Sequence, residues 1–186
     1  MIDDHRTVEK LFKRFEKSGS NADKTREEIA EQVIEELSVH AVIEEQAFYP
    51  AIRRLKNLTD DVLEALEEHH VVKWVLSELE KMNPSDERFE AKFTVMMENV
   101  RHHVEEEEND MFKKVRRGMS REQLQALGTA LEEAKMTAPR RPHPRAPDTP
   151  PGNMIAGALS APLDAAINAG KNAVDAVRDF ANRGND

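Results

Sequence analysis

Two stretches of the sequence place a histidine four residues before a glutamate, a combination that can bind a transition metal. His40 precedes Glu44 in HAVIEE, and His103 precedes Glu107 in HVEEEE. Residues four apart lie on one face of an α-helix, so each stretch would present an imidazole and a carboxylate together. An apolar residue stands three positions before each histidine, which predicts that this face points into the protein interior.

The two stretches belong to an internal repeat. An offset of 63 residues superimposes them, with histidine on histidine and glutamate on glutamate. An offset of 64 residues superimposes His5 on His69, and apolar positions match apolar positions around both. We therefore expect a pseudo-twofold arrangement in which four histidines and two glutamates converge, namely His5, His40, His69, His103, Glu44 and Glu107.

This set of side chains predicts a metal centre. Two buried carboxylates that face each other would be strongly penalised without a cation between them. Imidazole nitrogens and carboxylate oxygens suit iron, manganese or zinc rather than calcium. Six protein ligands are too many for one metal that must also bind a small molecule, and they are about right for two metals bridged by the carboxylates.

Neighbouring polar residues are candidates to support these ligands rather than to bind the metal. Glu45 and Glu108 recur in both halves of the repeat and could hydrogen-bond the ligands from outside. His70 and His102 lie about 100° around the helix from the adjacent histidine, so they are expected behind the ligands or on the surface. The choice between His69 and His70 stays open, and His69 is favoured because the residues three and seven positions later are apolar.

Aromatic and methionine side chains near the repeat are predicted to pack. Tyr49 and Phe112 occupy equivalent positions, and each lies about 180° from its histidine on an ideal α-helix. Packing or an interface therefore explains them better than catalysis. Met96, Met97 and Met111 are expected to fill the core.

The elements that must position these residues are helices. Period-3.6 patterning dominates the chain, and strand-like alternation does not occur. Short connections between long helices predict an all-α, up-down-up-down four-helix bundle over residues 1–118. The four helices are expected over about 3–17, 23–55, 59–81 and 86–117.

The helix ends carry candidate caps. Asp23 could cap the second helix, and Thr59 or Asp60 the third. Gly118 follows the fourth helix and is expected to be a left-handed C-terminal cap. These signals set the predicted boundaries of the bundle.

Three further segments follow the bundle. Residues 119–136 begin with a capping box formed by Ser120 and Gln123, which predicts a short accessory helix. Residues 137–153 are rich in proline and indicate an extended linker. Residues 154–186 are rich in alanine and predict a C-terminal amphipathic helix.

The predicted C-terminal helix has one apolar side. Its polar side mixes acidic and basic residues, so the cationic face of a membrane binder is missing. We expect this helix to dock on its own bundle or to form a homodimer. The apolar side consists of Leu159, Leu163, Ile167, Val174, Val177 and Phe180.

Composition narrows the partners. A net charge of -9 argues against a nucleic-acid partner. The chain has no cysteine, so thiolate metal sites and disulfides are excluded. The charged start MIDDHRTVEK does not resemble a signal peptide, and no apolar run is long enough to span a membrane. These features predict a cytoplasmic protein.

Four motifs together resemble the hemerythrin-like, or HHE cation-binding, family. They are DH at 4–5, HAVIEE at 40–45, EEHH at 67–70 and HVEEEE at 103–108. The resemblance covers residues 1 to about 117, and the proline-rich linker also resembles the tail of an actinobacterial subgroup. It implies a non-haem di-iron centre with bridging glutamates and terminal histidines, and it favours iron over manganese or zinc. A ferritin-like site needs two Glu-x-x-His pairs, and only Glu67–His70 has that spacing.

Two departures from the oxygen-carrying members bear on function. Lys73 occupies the position of a further histidine, and Glu108 that of an aspartate. Fewer histidines imply more open coordination, which favours chemistry over oxygen carriage. We expect reaction with hydrogen peroxide, dioxygen or nitric oxide in oxidative or nitrosative stress. The alternatives are a non-catalytic module that binds oxygen or nitric oxide, buffers iron or senses iron or redox state, and a structural platform for the C-terminal helix.

Overall fold

The computed structural model describes residues 1–19 and 22–148, and every regular element in these ranges is helical. The all-α prediction is confirmed for them, and the predicted C-terminal helix at 154–186 lies outside them. One π turn, Glu44–Phe48, joins α2 to α3, and a second, Glu107–Met111, joins α5 to α6. The helices are α1 (Ile2–Lys17), α2 (Asp23–Ile43), α3 (Tyr49–Ile52), α4 (Thr59–Leu79), α5 (Phe89–Glu106), α6 (Phe112–Gly118) and α7 (Arg121–Thr137).

Four helical rods form the bundle. The first is α1, the second runs from α2 through the first π turn into α3, the third is α4, and the fourth runs from α5 through the second π turn into α6. Helix α1 packs on α2, α4 packs on α5, and α2 packs on α4. The up-down-up-down order of their directions stays a prediction. No helix among the described residues is long and apolar enough to cross a membrane.

The two π turns begin at equivalent positions of the internal repeat, Glu44 and Glu107. The N–H groups of Tyr49 and Phe112 donate to the carbonyl groups of these glutamates, five residues earlier. A π turn adds one residue to a helical turn. The residues after it are therefore rotated by about 100° from their α-helical register.

The bundle core consists of two apolar clusters on either side of a polar layer. One cluster contains the stacked rings of Phe15 and Phe93, whose centroids lie 3.8 Å apart. The other contains Phe48, Ile52 and Val62. Both clusters are closely packed, and they cover the polar layer between them from either side. The methionines predicted to fill the core, Met96, Met97 and Met111, are buried.

Helix α7 closes one end of the bundle. The predicted capping box is confirmed, since Gln123 N–H donates to Ser120 Oγ at 3.2 Å and Ser120 N–H donates to Gln123 Oε1 at 2.7 Å. Leu127, Ala130 and Ala134 of α7 are buried in the cluster beside Phe48 and Ile52. The following segment, 138–148, lies against the bundle, where Arg141 donates to Glu80 at 2.9 Å.

Three of the predicted caps are wrong. Gly118 ends α6 without a left-handed conformation, and the non-glycine residue with positive φ in the described ranges is Asn57, at 63°. Asp23 and Thr59 are the first helical residues of α2 and α4, and the residues before them make no side-chain cap. Asp23 and Asp60 lie in the first helical turns of α2 and α4. There, their negative charges interact favourably with the helix dipole, although they do not cap a free N–H group.

Candidate metal centre

The six predicted ligands lie together in the polar layer. Each of them is at most 6% exposed to solvent. They come from all four rods, so the centre forms only when the bundle is assembled. They are His5 of α1, His40 of α2, Glu44 of the first π turn, His69 of α4, His103 of α5 and Glu107 of the second π turn.

The four histidines form two pairs. The Nε2 atoms of His5 and His40 are 3.0 Å apart, and those of His69 and His103 are 3.2 Å apart. All four Nε2 atoms therefore converge on the centre of the layer. His69, rather than His70, faces the centre from α4, since His69 is buried and His70 is exposed.

Each glutamate spans both histidine pairs. Glu44 Oε1 lies 3.1 Å from Nε2 of His40, and Glu44 Oε2 lies 3.3 Å from Nε2 of His69. The two oxygens of Glu107 make the equivalent contacts with the other histidine of each pair, at 3.4 and 3.8 Å. The potential ligand atoms form two compact groups. The first contains His5, His40, Glu44 and Glu107, and the second contains Glu44, His69 and His103. A carboxylate in this position can bridge two cations.

Every inward-facing histidine also has a carboxylate near its outer ring nitrogen. Histidines that bind metals commonly donate their other ring N–H to such a group, which fixes the tautomer and the ring orientation. The pairs repeat in both halves of the chain. The carboxylate-to-Nδ1 pairs are Glu108 with His5 at 2.7 Å, Asp4 with His40 at 3.9 Å, Glu45 with His69 at 3.0 Å and Glu68 with His103 at 2.7 Å.

Only two of the four residues predicted to support the ligands do so in the structure. Glu45 and Glu108 lie behind ligands, whereas His70 and His102 lie on the surface, and the structure does not bring them to the centre. Asp4 and Glu68 were not among the candidates. The repeat contained a signal for them, because each directly precedes a ligand histidine and the two are 64 residues apart.

Tyr49 packs as predicted, with its ring buried in the apolar cluster, but its hydroxyl also reaches the polar layer. Its hydroxyl donates to Glu107 Oε1 at 3.0 Å and lies 3.2 Å from Nε2 of His69. The π turn supplies the reason, because it rotates Tyr49 toward the histidine face. The equivalent residue, Phe112, stacks on His5 at 6.0 Å between ring centroids and has no hydroxyl. The two halves of the centre are therefore chemically different.

The fit of this site to metal ions rests on its unpaired oxygens. Both carboxylate oxygens of Glu44 and Oε2 of Glu107 are buried without a hydrogen-bond partner among the described residues. A buried charge in this position is strongly unfavourable unless a cation or a proton neutralises it. Imidazole and carboxylate ligands are those that iron, manganese and zinc accept. The residues present therefore fit a transition-metal centre.

In the metal-free protein, protons take the place of the metal charge. Burial opposes protonation of His40, but the charge of Glu44 and the contact with Asp4 outweigh it and raise the pKa of His40 to about 10. Burial also opposes protonation of His69, yet Glu44 and Glu45 raise its pKa to about 9. Burial alone would raise the pKa of Glu44, but His40 and His69 lower it well below its usual value.

We predict that metal loading at pH 7.5 releases about two protons, because His40 and His69 are protonated in the metal-free protein and must free their Nε2 atoms. Both pKa values lie above 7.5, so raising the pH toward 9 weakens proton competition and should increase the apparent metal affinity. Calorimetry in buffers of different ionisation enthalpy measures the release. The exposed His70→Ala variant should release the same number, and metal binding without proton release would contradict the prediction.

Lys73 neutralises one of the outer carboxylates. It is 7% exposed, and its Nζ donates to Glu45 Oε1 at 2.7 Å. Glu45 in turn contacts Nδ1 of His69. The residue that departs from the oxygen carriers therefore acts through Glu45 on a ligand.

The Lys73→Met variant is expected to lose about 3 kcal/mol of unfolding free energy, because a buried pair would lose its cation. Metal affinity should fall about tenfold, since Glu45 would orient His69 less firmly. Urea unfolding and metal titration measure the two effects. The control is Lys13→Met, which breaks the exposed pair with Glu9 and should change stability by less than about 0.5 kcal/mol. Equal losses in both variants would exclude this role.

A small cavity lies beside the histidines on the side of the Phe15 cluster. Its volume is about 30 Å³, which is room for about one or two water-sized molecules. Apart from the four histidines, its wall is mainly aliphatic. The aliphatic residues are Val8, Leu37, Ala41, Val72, Leu76, Val100 and Val104.

A helical bundle with buried histidine pairs and shared carboxylates is typical of a cation-binding protein. The profile of the Hemerythrin HHE cation binding domain matches residues 1–115, and the chain belongs to this family. The resemblance inferred from the four motifs is thereby confirmed. The narrower actinobacterial subgroup stays a prediction.

Two curated proteins are similar to the chain. A hemerythrin-like protein of Schizosaccharomyces pombe is 28% identical over 165 residues, which cover 87% of this chain and 79% of that protein. A DNA nickase of Nostoc sp. is 28% identical over 138 residues, which cover 74% of this chain and 38% of the nickase. No solved structure matches the chain significantly.

Proposed function

We propose that this protein holds two iron ions between its histidine pairs and uses them to convert hydrogen peroxide, dioxygen or nitric oxide. The observation that carries the proposal is that Glu44 and Glu107 each place one oxygen near each histidine pair. This arrangement favours two neighbouring cations over one. Bound iron would supply redox chemistry.

The size of the cavity beside the histidines supports a small molecule as the substrate. At about 30 Å³ it suits a diatomic molecule or a peroxide and excludes an organic substrate of ordinary size. Its aliphatic wall keeps bulk water from the histidines and strengthens electrostatic interactions inside. Because the four histidines line the cavity, a ligand there lies beside the imidazole rings.

Tyr49 supports turnover rather than reversible binding. Its hydroxyl holds a proton next to Glu107 and His69. Burial, together with the charge of Glu107, raises the pKa of Tyr49 well above its usual value, so the hydroxyl keeps its proton. A fixed hydrogen-bond donor beside the metal ligands can stabilise negative charge that develops during a reaction. Non-catalytic binding of oxygen or nitric oxide, iron buffering and sensing are the alternatives.

We do not extend DNA nicking, the activity named for the Nostoc relative, to this chain. The net charge of -9 disfavours a polyanion. A carboxylate-lined opening leads toward His103 and Glu107, and it would repel phosphate groups from that side of the centre. The cysteine-free composition suits the reducing cytoplasm, where we place the protein.

The test begins with anaerobic iron loading, followed by elemental analysis. We expect two iron ions per chain and a visible spectrum that changes with peroxide, dioxygen or nitric oxide. Catalytic loss of at least one of these molecules would support the enzymatic form of the proposal. A reversible spectrum without turnover would favour the binding module, and a protein that takes up no transition metal would refute both.

A further inference from the structure

An acidic opening connects the protein surface to the metal centre. We call it the acidic vestibule, and its volume is about 180 Å³. It lies between α4 and the rod formed by α5 and α6, and it reaches the inner ligand His103. Its carboxylates are Asp61, Glu64, Glu68, Glu106, Glu107 and Asp110.

The carboxylates of the acidic vestibule become steadily more buried toward the centre. The side chain of Glu106 is 47% exposed, that of Glu68 is 24% exposed, and that of Glu107 is 1% exposed. Lys114 neutralises the peripheral acids Asp61 and Asp110, at 2.6 and 2.5 Å. The acids along the inner path retain their negative field for other cations.

A mixed group of ligands lies beside this path. Donor atoms of Glu68, His102 and Glu106 all lie within 4.8 Å of one another. The group contains an imidazole as well as carboxylates, which is a donor set that suits divalent iron. Glu68 also contacts Nδ1 of His103 at 2.7 Å, so this outer group is directly joined to an inner ligand.

The inner end of the vestibule is formed by the buried carboxylate of Glu107. Its Oε1 accepts from Tyr49, and its Oε2, 3.4 Å from Nε2 of His5, has no hydrogen-bond partner among the described residues. A buried carboxylate oxygen without a donor favours a cation strongly. A cation drawn along the acids would therefore meet progressively better ligands.

We propose that the acidic vestibule is the route by which divalent iron enters, and that Glu68, His102 and Glu106 bind the ion transiently on the way. The ion then passes to His103 and Glu107 at the inner end. This inference rests on the proposed metal function and adds its loading pathway. It also gives His102 a role that its surface position would not otherwise suggest.

The test compares two double variants with equal losses of charge and imidazole. The test variant is His102→Ala with Glu106→Gln, which removes two members of the outer group and leaves the inner ligands intact. The control is His70→Ala with Glu105→Gln, two exposed residues that do not line the vestibule. Metal-free protein is mixed with Co²⁺ in a stopped-flow instrument, and the visible absorption of the bound ion reports uptake. Anaerobic Fe²⁺ uptake is then measured at timed intervals, by trapping the unbound ion with a colorimetric chelator.

Uptake by the test variant should be about 3- to 10-fold slower than by the wild type, with the same final stoichiometry. High salt should reduce the difference, because it screens the field of the vestibule. The control variant should load at the wild-type rate. Equal rates in the test variant and the wild type, or equal slowing in both variants, would overturn the pathway. Absence of metal uptake by the wild type would instead refute the proposed function.

Discussion

Replacement of Glu44 by glutamine is expected to reduce metal binding from two ions per chain to at most one. The glutamine amide has one acceptor oxygen, whereas Glu44 presents one oxygen to each histidine pair, at 3.1 and 3.3 Å. The amide can therefore serve one pair but not both. The substitution also removes the negative charge that would neutralise neighbouring cations.

The stability of the loaded protein measures this loss. A ligand present at 100 times its dissociation constant adds about 2.7 kcal/mol per site, so two ions add about 5 kcal/mol to the free energy of unfolding. For a chain of this size the gain corresponds to roughly 10–20 °C in Tm. Glu44→Gln should lose at least half of it.

Comparison of metal-loaded and metal-free protein in each variant isolates the effect from changes in the apolar clusters. Glu107→Gln should behave similarly, because Glu107 spans the same pairs. Glu105→Gln, an exposed change two residues away, should retain the full gain. Two ions bound by Glu44→Gln with the wild-type gain in Tm would show that the carboxylate does not bridge.

The sequence alone was sufficient to predict which residues converge. The i, i+4 spacing of His40 with Glu44 is a local property of a helix, so it needs no tertiary information. The repeat then extends this pattern to the second half, because side chains that match in type at a constant offset occupy matching positions. Asp4 and Glu68 share the offset of the first and third helices and lie behind the histidines in the structure, although they were not among the predicted supporting residues.

The π turns could not be predicted in this way. A π turn has poorer hydrogen-bond geometry than an α-helix and forms where tertiary contacts stabilise it. Here those contacts are buried and long-range, such as the bond from the Tyr49 hydroxyl to Glu107. An ideal α-helix turns Tyr49 away from the site, which is why its role was missed. The first π turn has a local signal nearby, because Pro50 follows Tyr49 directly and lacks the backbone N–H that an α-helix would use. The second π turn has no such signal, since Lys113 occupies the equivalent position.

The predicted caps failed for a different reason. An aspartate or threonine near a helix start can cap the helix or lie in its first turn, and both positions are favourable. The choice depends on how the preceding loop packs. Thr59 donates its hydroxyl to the carbonyl group of Arg53 at 3.0 Å, so the loop uses the side chain that the cap would have required.

Tyr49→Phe is expected to leave two metal ions bound and to slow conversion of peroxide, dioxygen or nitric oxide about 10- to 100-fold. The ring of Tyr49 packs in the apolar cluster, and phenylalanine preserves that packing. The variant removes only the hydroxyl, which donates to Glu107 at 3.0 Å. The equivalent position in the other half already holds Phe112, so the fold accepts phenylalanine at this point of the repeat.

Steady-state kinetics separate a chemical role of Tyr49 from a structural one. If the hydroxyl hydrogen-bonds a reacting group, Tyr49→Phe should lower kcat with little change in KM or in stability, and the pH profile should keep its shape, because a hydroxyl whose pKa is raised well above its usual value does not titrate in the working range. Phe48→Leu, which alters the neighbouring ring at 5.7 Å, should lower stability and leave kcat unchanged. An unchanged rate in metal-replete Tyr49→Phe would show that the buried hydroxyl only holds Glu107 in place.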